Sequence, residues 1–400
     1  MTIRNGRSFK VSRASQRRTA RLEGPILRAP IQIVAACSLV LFALAGCDEV
    51  SETQPRQTFP PPAGLIGYTA NQDEYGHVTI YLVSPDGTGL RALASGVGAA
   101  DGIEWSPDGN LLSVSSFVGP SQEGVLETLS VENGASRRVA GGFDLPSQPV
   151  WSPDGRRLAF SEDIEYRGQC GLIACNPEIY AISSDGENLT RLTFRDRWWD
   201  THPDWSSDSE WVAFSSGIPT LESTEFWAVR ADGSGLTQLT DSMPRGYPEW
   251  RPHTNQVSYL NDVGCALSSP EPCSQELFLI DVPGGTPQRL SPERMEISSV
   301  GGFEWSPDGS RLAFVSDRDG LTGLYLWGAD GETTVFVDHK FEADAFDSIT
   351  WSPDGHHLAF RGTRYGGGTD IVWVVAEDGS SLRVIAEADI LEGPVWSPVN

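Results

Sequence analysis

One ten-residue stretch, Trp151-Ser152-Pro153-Asp154-Gly155-Arg156-Arg157-Leu158-Ala159-Phe160, recurs along most of the chain. Ser-Pro-Asp-Gly suits a tight turn, because proline fixes φ, aspartate bonds nearby amides and glycine accepts the last position. Leu-Ala-Phe is a short apolar run of the kind that forms a strand covered on both faces. The copies place Trp at 105, 151, 205, 250, 305, 351 and 396, at intervals of 46, 54, 45, 55, 46 and 45 residues. Two copies are eroded: Trp205-Ser206-Ser207-Asp208-Ser209 loses Pro and Gly, and Trp250-Arg251-Pro252-His253-Thr254 loses Asp and Gly.

A second motif fills the other half of each interval. Ile80-Tyr81-Leu82-Val83 followed by Asp86-Gly87 and Leu90 returns as Ile179-Tyr180, Asp185-Gly186 and Leu189, and in later copies up to Val372-Trp373 and Asp378-Gly379. Each unit therefore reads as strand a ending in Trp, a Ser-Pro-Asp-Gly turn, strand b, a variable loop, strand c, an Asp-Gly turn and strand d. A period of about 45 residues with four strands per unit predicts an all-β fold, a β-propeller. The first unit, from Leu65, lacks strand a, and the last Trp396 has nothing after it but four residues. The two ends complete one blade, giving seven blades over residues 64–400, closed by C-terminal strand a on N-terminal strand b. The seven Trp side chains are expected to pack between neighbouring sheets.

The paired motifs, Trp-Ser-Pro-Asp-Gly-x-x-Leu-Ala-Phe and Ile-Tyr-x-Ile-x-x-Asp-Gly, resemble the PD40 (WD40-like) repeat of TolB-type propellers. That resemblance implies a periplasmic propeller that works with a peptidoglycan-associated lipoprotein in envelope integrity. This chain departs from the pattern. It counts seven blades rather than six, and has a tether where TolB carries an α/β domain.

Residues 1–46 read as a targeting segment. Eight basic residues against Glu23 alone give them a charge of +7, and Ile31–Ala45 is apolar and too short to span a bilayer comfortably. The run ends Leu44-Ala45-Gly46-Cys47, which looks like a lipobox with Cys47 as the acylated first mature residue. Residues 47–63 then form a Pro-rich tether. These features place the protein in a bacterial envelope, exported and lipid-anchored on the periplasmic face or the cell surface, with membrane contact through the anchor only. The net charge is −25 overall, so the part after residue 46 carries −32. Such a body repels nucleic acid.

In the propeller topology the a–b and c–d turns share one face and are uniformly short. The b–c and d–a connections share the other and hold all the length variation, so that face is the candidate for binding. Cys170 with Cys175, and Cys265 with Cys273, fall in b–c loops of blades three and five; local disulfides suit an oxidising compartment. Arg197-Trp198-Trp199-Asp200, between blades three and four, is the candidate partner-binding patch. Asp101, Asp347 and Glu392 lie four residues ahead of their repeat Trp, and Asp200 five ahead. These acids are expected at the channel mouth, where they would bind a basic group or a cation such as Ca²⁺; no other cofactor is expected.

No G-x-S-x-G elbow, H-E-x-x-H or phosphate loop occurs, and no catalytic or metal-ligating residue is assigned. Prolyl-oligopeptidase-like peptidases use a similar propeller, but they need a hydrolase domain after it, and this sequence stops at Asn400. The expectation is a non-catalytic, lipid-anchored scaffold that binds an envelope protein or peptide. The alternatives are a polysaccharide-binding or oligosaccharide-lyase-like enzyme on a seven-bladed propeller, which would use His ligands to a metal, and a purely structural envelope protein.

Overall fold

The computed structural model describes residues 61–72, 77–118, 123–143, 147, 149–162, 176–218, 223–240, 244–263, 274–290, 302–316, 323–328, 333–335, 348–363, 369–388 and 390–399. These residues form seven antiparallel sheets of four strands each. Strand a is innermost and strand d outermost. The inner strands are Ala99–Trp105, Val150–Trp151, Trp199–Trp205, Pro244–Trp250, Phe303–Trp305, Ile349–Trp351 and Ile390–Trp396. Thr58–Asn400 cluster as one compact unit, distinct from Met1–Gln57. The targeting segment, Cys47 and the four loop cysteines Cys170, Cys175, Cys265 and Cys273 lie outside the described residues.

Closure follows the expectation. Ile390–Trp396 pairs antiparallel with Ile66–Ala70, Ile66 opposite Trp396 and Gly67 opposite Val395. The amide of Ser397 donates to the Leu65 carbonyl at 2.8 Å, and the Trp396 indole donates to the Ala63 carbonyl at 2.9 Å. Blade one is completed by Val78–Val83 and Arg91–Val97.

The apolar core consists of seven clusters, each shared by two neighbouring blades and each containing one repeat Trp. These seven Trp side chains are 3–6% exposed. In blade three, Leu158, Ala159 and Phe160 are wholly buried, as the apolar run implied. Alternate residues of such a strand face the two neighbouring blades, so a continuous apolar stretch is required.

The a–b turns show why serine opens the motif. The Ser106 hydroxyl accepts from the Leu111 amide at 2.9 Å and donates to Asp108 at 2.6 Å, while Asp108 also accepts from the Asn110 amide. The same net recurs at Ser152/Asp154, Ser206/Asp208, Ser306/Asp308 and Ser352/Asp354. Partial burial would raise the Asp308 pKa, but bonds from Ser306 and Ser310 and the nearby Arg311 charge outweigh it, lowering it to about 2. Where blade four has lost its turn glycine, Ser209 adopts φ +60°, a conformation that normally favours Gly.

Neighbouring blades are also laced together across this turn face. Arg157 stacks over Trp205 of the next blade and donates to the Ser209 carbonyl at 2.6 Å. Arg251 does the same with Trp305 and Gly309, and Arg311 with Trp351 and Gly355. Further out, Arg137 donates to the Asp185 carbonyl and Arg383 to that of Pro85. Short turns and cationic staples thus tie neighbouring blades together at one end of the ring.

Candidate functional site

Strand a borders the axial channel, so the inward edge of its backbone has no neighbouring strand, and its N–H groups need other acceptors. The residue just before each repeat Trp supplies many of them. These residues are Glu104, Val150, Asp204, Glu249, Glu304, Thr350 and Val395, one per blade. Glu104 accepts from the amide of Trp151 at 3.2 Å, Asp204 from that of Trp250 at 2.7 Å, and Glu249 from that of Trp305 at 3.2 Å. The Glu304 carboxylate is bonded to the Trp351 backbone, and the Thr350 hydroxyl accepts from the Trp396 amide at 3.3 Å. Each side chain reaches forward to the next blade. Strand a carries the ring, and the Trp beside each member anchors it.

Four of the seven ring members are carboxylic acids, and all four are half-buried in the channel wall. Burial pushes Glu104 well above the ordinary carboxylate range, with the Asp204 charge adding to the rise. Glu249 is raised by burial and by Glu304 and Asp204. Burial takes Glu304 to about 8 and Asp204 to about 6. The backbone bonds pull each of them back toward ionisation without cancelling the desolvation.

Toward the long-loop face the channel opens into a cavity of about 390 Å³. Its wall draws Ser147 and Val150 from blade three, His202, Pro203 and Asp204 from blade four, Tyr247 and Pro248 from blade five, and Glu392 from the closing strand of blade one. Blades one and four stand on opposite sides of a seven-membered ring, so the cavity lies on the axis. Val150 and Asp204 are two of the seven positions just before the repeat Trp, so the cavity reaches down to that level of the channel. At the rim the His202 and Tyr247 rings stack, centroids 3.7 Å apart at 18°. Tyr247 is 57% exposed, and His202 holds φ +53°. His202 is exposed as a residue, but its ring packs against the wall and Tyr247, and desolvation there lowers its pKa to about 4. It is therefore neutral near pH 7.

The expected channel-mouth acids fare differently. Glu392 lines the cavity and is exposed, its amide donating to the Thr69 hydroxyl at 3.1 Å. Asp101 lies in strand a of blade two, but its side chain is outside the described set, as is all of Asp347. Asp200 is not an exposed acid at the channel mouth or on the loop surface. It is fully buried, accepts from the Ser216 hydroxyl at 2.5 Å and lies 3.9 Å from Arg195. Burial raises its pKa to about 6. Its neighbours explain the correction: Arg195 is clamped between the rings of Trp198 (4.3 Å) and Trp227 (3.9 Å), and Asp200 balances that buried guanidinium. Arg197 is exposed at φ +71°, and Trp198 and Trp199 are half-buried. Part of the Trp pair thus builds the blade junction and part stays accessible. Among the described residues, no three His, Cys, Asp or Glu side chains come together in a way that could hold a metal ion.

Reading along the sequence singled out acids four residues ahead of the Trp and overlooked those adjacent to it. The signal was present in Ile103-Glu104-Trp105, Pro203-Asp204-Trp205, Pro248-Glu249-Trp250 and Phe303-Glu304-Trp305. Tyr247 and His202, three residues ahead of Trp250 and Trp205, were also overlooked.

The TolB beta propeller domain model (PD40) matches residues 57–269, just over half of the chain. An uncharacterized protein of Agrobacterium fabrum is 30% identical over 218 residues, spanning 52% of this chain and 67% of that protein. A dipeptidyl-peptidase 5 of Porphyromonas endodontalis is 24% identical over 258 residues, covering 62% of this chain but only 34% of the peptidase. Among solved structures, TolB from Acinetobacter baumannii superposes with a TM-score of 0.51 at 16% identity, over 84% of this chain and 67% of TolB. An oligogalacturonate lyase in complex with manganese gives 0.55 at 14% identity, over 81% and 85% of the two chains. The structural likenesses carry the fold, which peptidases and a lyase share with TolB. The repeat motif, the seven Trp-centred interfaces and the family match together make this chain a member of the TolB β-propeller (PD40) family.

Proposed function

We propose that the propeller is a non-catalytic scaffold at the bacterial envelope, held to a membrane by lipid on Cys47, and that it binds a protein or peptide on its long-loop face. The observation that carries this reading is the difference between the two ends of the ring. The turn face is built of short turns tied blade to blade by arginine staples, whereas the other opens into an axial cavity rimmed by an exposed aromatic stack. Exposed aromatic side chains beside a concave site are the usual anchors of protein recognition. Trp198 and Trp199 lie on the same strand approach as His202 and extend that surface.

A lyase acting on an anionic polysaccharide fits less well. Asp204 and Glu392 are the acidic residues of the cavity, and Asp204, at about 6, is ionised near neutral pH and repels a polyanion. His253 and His356 sit in a–b turns and His357 opens the strand after one, all at the far end from His202, so they do not form one site with it.

Two experiments test the proposal. The propeller without its targeting segment should capture an envelope partner that a Trp198→Ala/Trp199→Ala variant loses; equal capture by both variants removes the patch from the site. In cells, the wild type should incorporate labelled fatty acid and Cys47→Ala should not. Labelling of Cys47→Ala would show that the anchor is elsewhere.

A further inference from the structure

We propose that the axial cavity receives a cationic side chain, a lysine or arginine carried on an extended protein segment. This rests on the reading of the long-loop face as a protein-binding surface and specifies what that surface recognises. Size is the first argument. About 390 Å³ is at the small end of ligand pockets, enough for one long side chain and adjoining backbone but not for a folded element.

Chemistry is the second. The cavity has an apolar collar and an acidic base. Val150, Pro203 and Pro248 offer walls to a methylene stem, while Tyr247 and the neutral His202 offer π surface. Asp204 and Glu392 are its acidic members, and no Lys or Arg is among the described residues that line it. A cation threaded past Tyr247 would therefore meet the Asp204 carboxylate, ionised near neutral pH, with Glu392 at the mouth and no Lys or Arg among the described lining residues. A compact metal ion suits the site less well, since no three ligands converge among the described residues. The charge of −32 after residue 46 draws a basic segment toward the mouth.

The test uses three blocked pentapeptides, Gly-Ser-X-Ser-Gly with X lysine, arginine or norleucine, titrated into the protein at pH 8 by calorimetry. Asp204 is ionised there. The lysine or arginine peptide should bind roughly tenfold or more tightly than the norleucine peptide. Tyr247→Ala, an exposed position, and Asp204→Asn, which keeps an oxygen for the Trp250 amide, should each weaken that binding by about the same factor. Thermal melts of both variants check that they are folded. Equal binding of norleucine and the cationic peptides overturns the proposal, as does no binding of any peptide at millimolar concentration, or binding indifferent to both substitutions. Failure here, with partner capture still lost in the Trp198→Ala/Trp199→Ala variant, rejects the cationic specificity and leaves the scaffold reading standing. A partner that docks on the turn face rejects both.

Discussion

Trp305→Ala is expected to lower the stability of the propeller by about 3–5 kcal/mol. The side chain is 3% exposed and packs with Leu260, Leu277 and Leu279 of its own neighbour blade and with Leu312 and Phe314 of the next strand. Its indole N–H donates to the Ser258 hydroxyl at 2.9 Å, and Arg251 lies over its ring at 4.8 Å. Alanine therefore opens a cavity, leaves a buried hydroxyl short of a donor and strips a guanidinium of its aromatic cover. Trp305→Phe keeps most of the ring and should cost less. Urea titration followed by intrinsic fluorescence measures both. A loss below about 1 kcal/mol for the alanine variant would mean that the repeat Trp is not what joins the blades.

The second large effect is a dependence of stability on pH, and its sign is set by the channel. Glu104, Asp204, Glu249 and Glu304 hold protons more tightly in the folded protein than in the unfolded chain. Wherever the folded state binds more protons, stability falls as pH rises. For Asp204 the fall runs between its ordinary value of 3.8 and about 6, and for Glu304 between 4.5 and about 8. The contribution of these groups is complete below the lower limits and gone above the upper ones. The turn aspartates work the other way. Asp308, at about 2, contributes stability above its ordinary value of 3.8, and that stability is lost as pH falls through about 2. The protein should therefore be more stable near pH 5 than near pH 8. Glu304→Gln, which mimics the protonated acid, should raise stability at pH 8 and flatten the slope. Melting curves from pH 4 to 9 provide the check; stability that rises steadily over that range would mean the channel acids are not desolvated.

The two classes of feature differ in how they show in a sequence. Packing in a propeller repeats with the chain, so Trp105 through Trp396, the Leu-Ala-Phe strands and the incomplete units at the two ends disclose the fold, its closure and its short-turn face. The site breaks that symmetry. Glu104, Asp204, Glu249 and Glu304 occupy one repeat position in only four blades, with Val150, Thr350 and Val395 in the others, so the position does not announce itself as a motif. Their role depends on a neighbouring blade about 46–56 residues on, whose amide they cap. Asp200 illustrates the reverse. As an acid in a connecting loop it reads as surface, yet Arg195 and Ser216, brought in from flanking elements, make a buried position tolerable. The pairing of His202 with Tyr247 joins residues 45 positions apart through the ring alone.

Hydrogen exchange of the propeller with its captured partner bound tests the central claim most directly, that the protein works through its long-loop face. The partner should slow exchange at the start of the inner strands of blades four and five, around Trp199–His202 and Tyr247, and leave the turns at Asp108, Asp154, Asp308 and Asp354 unchanged. Protection confined to those turns, with His202 and Tyr247 exchanging as in the free protein, would contradict it.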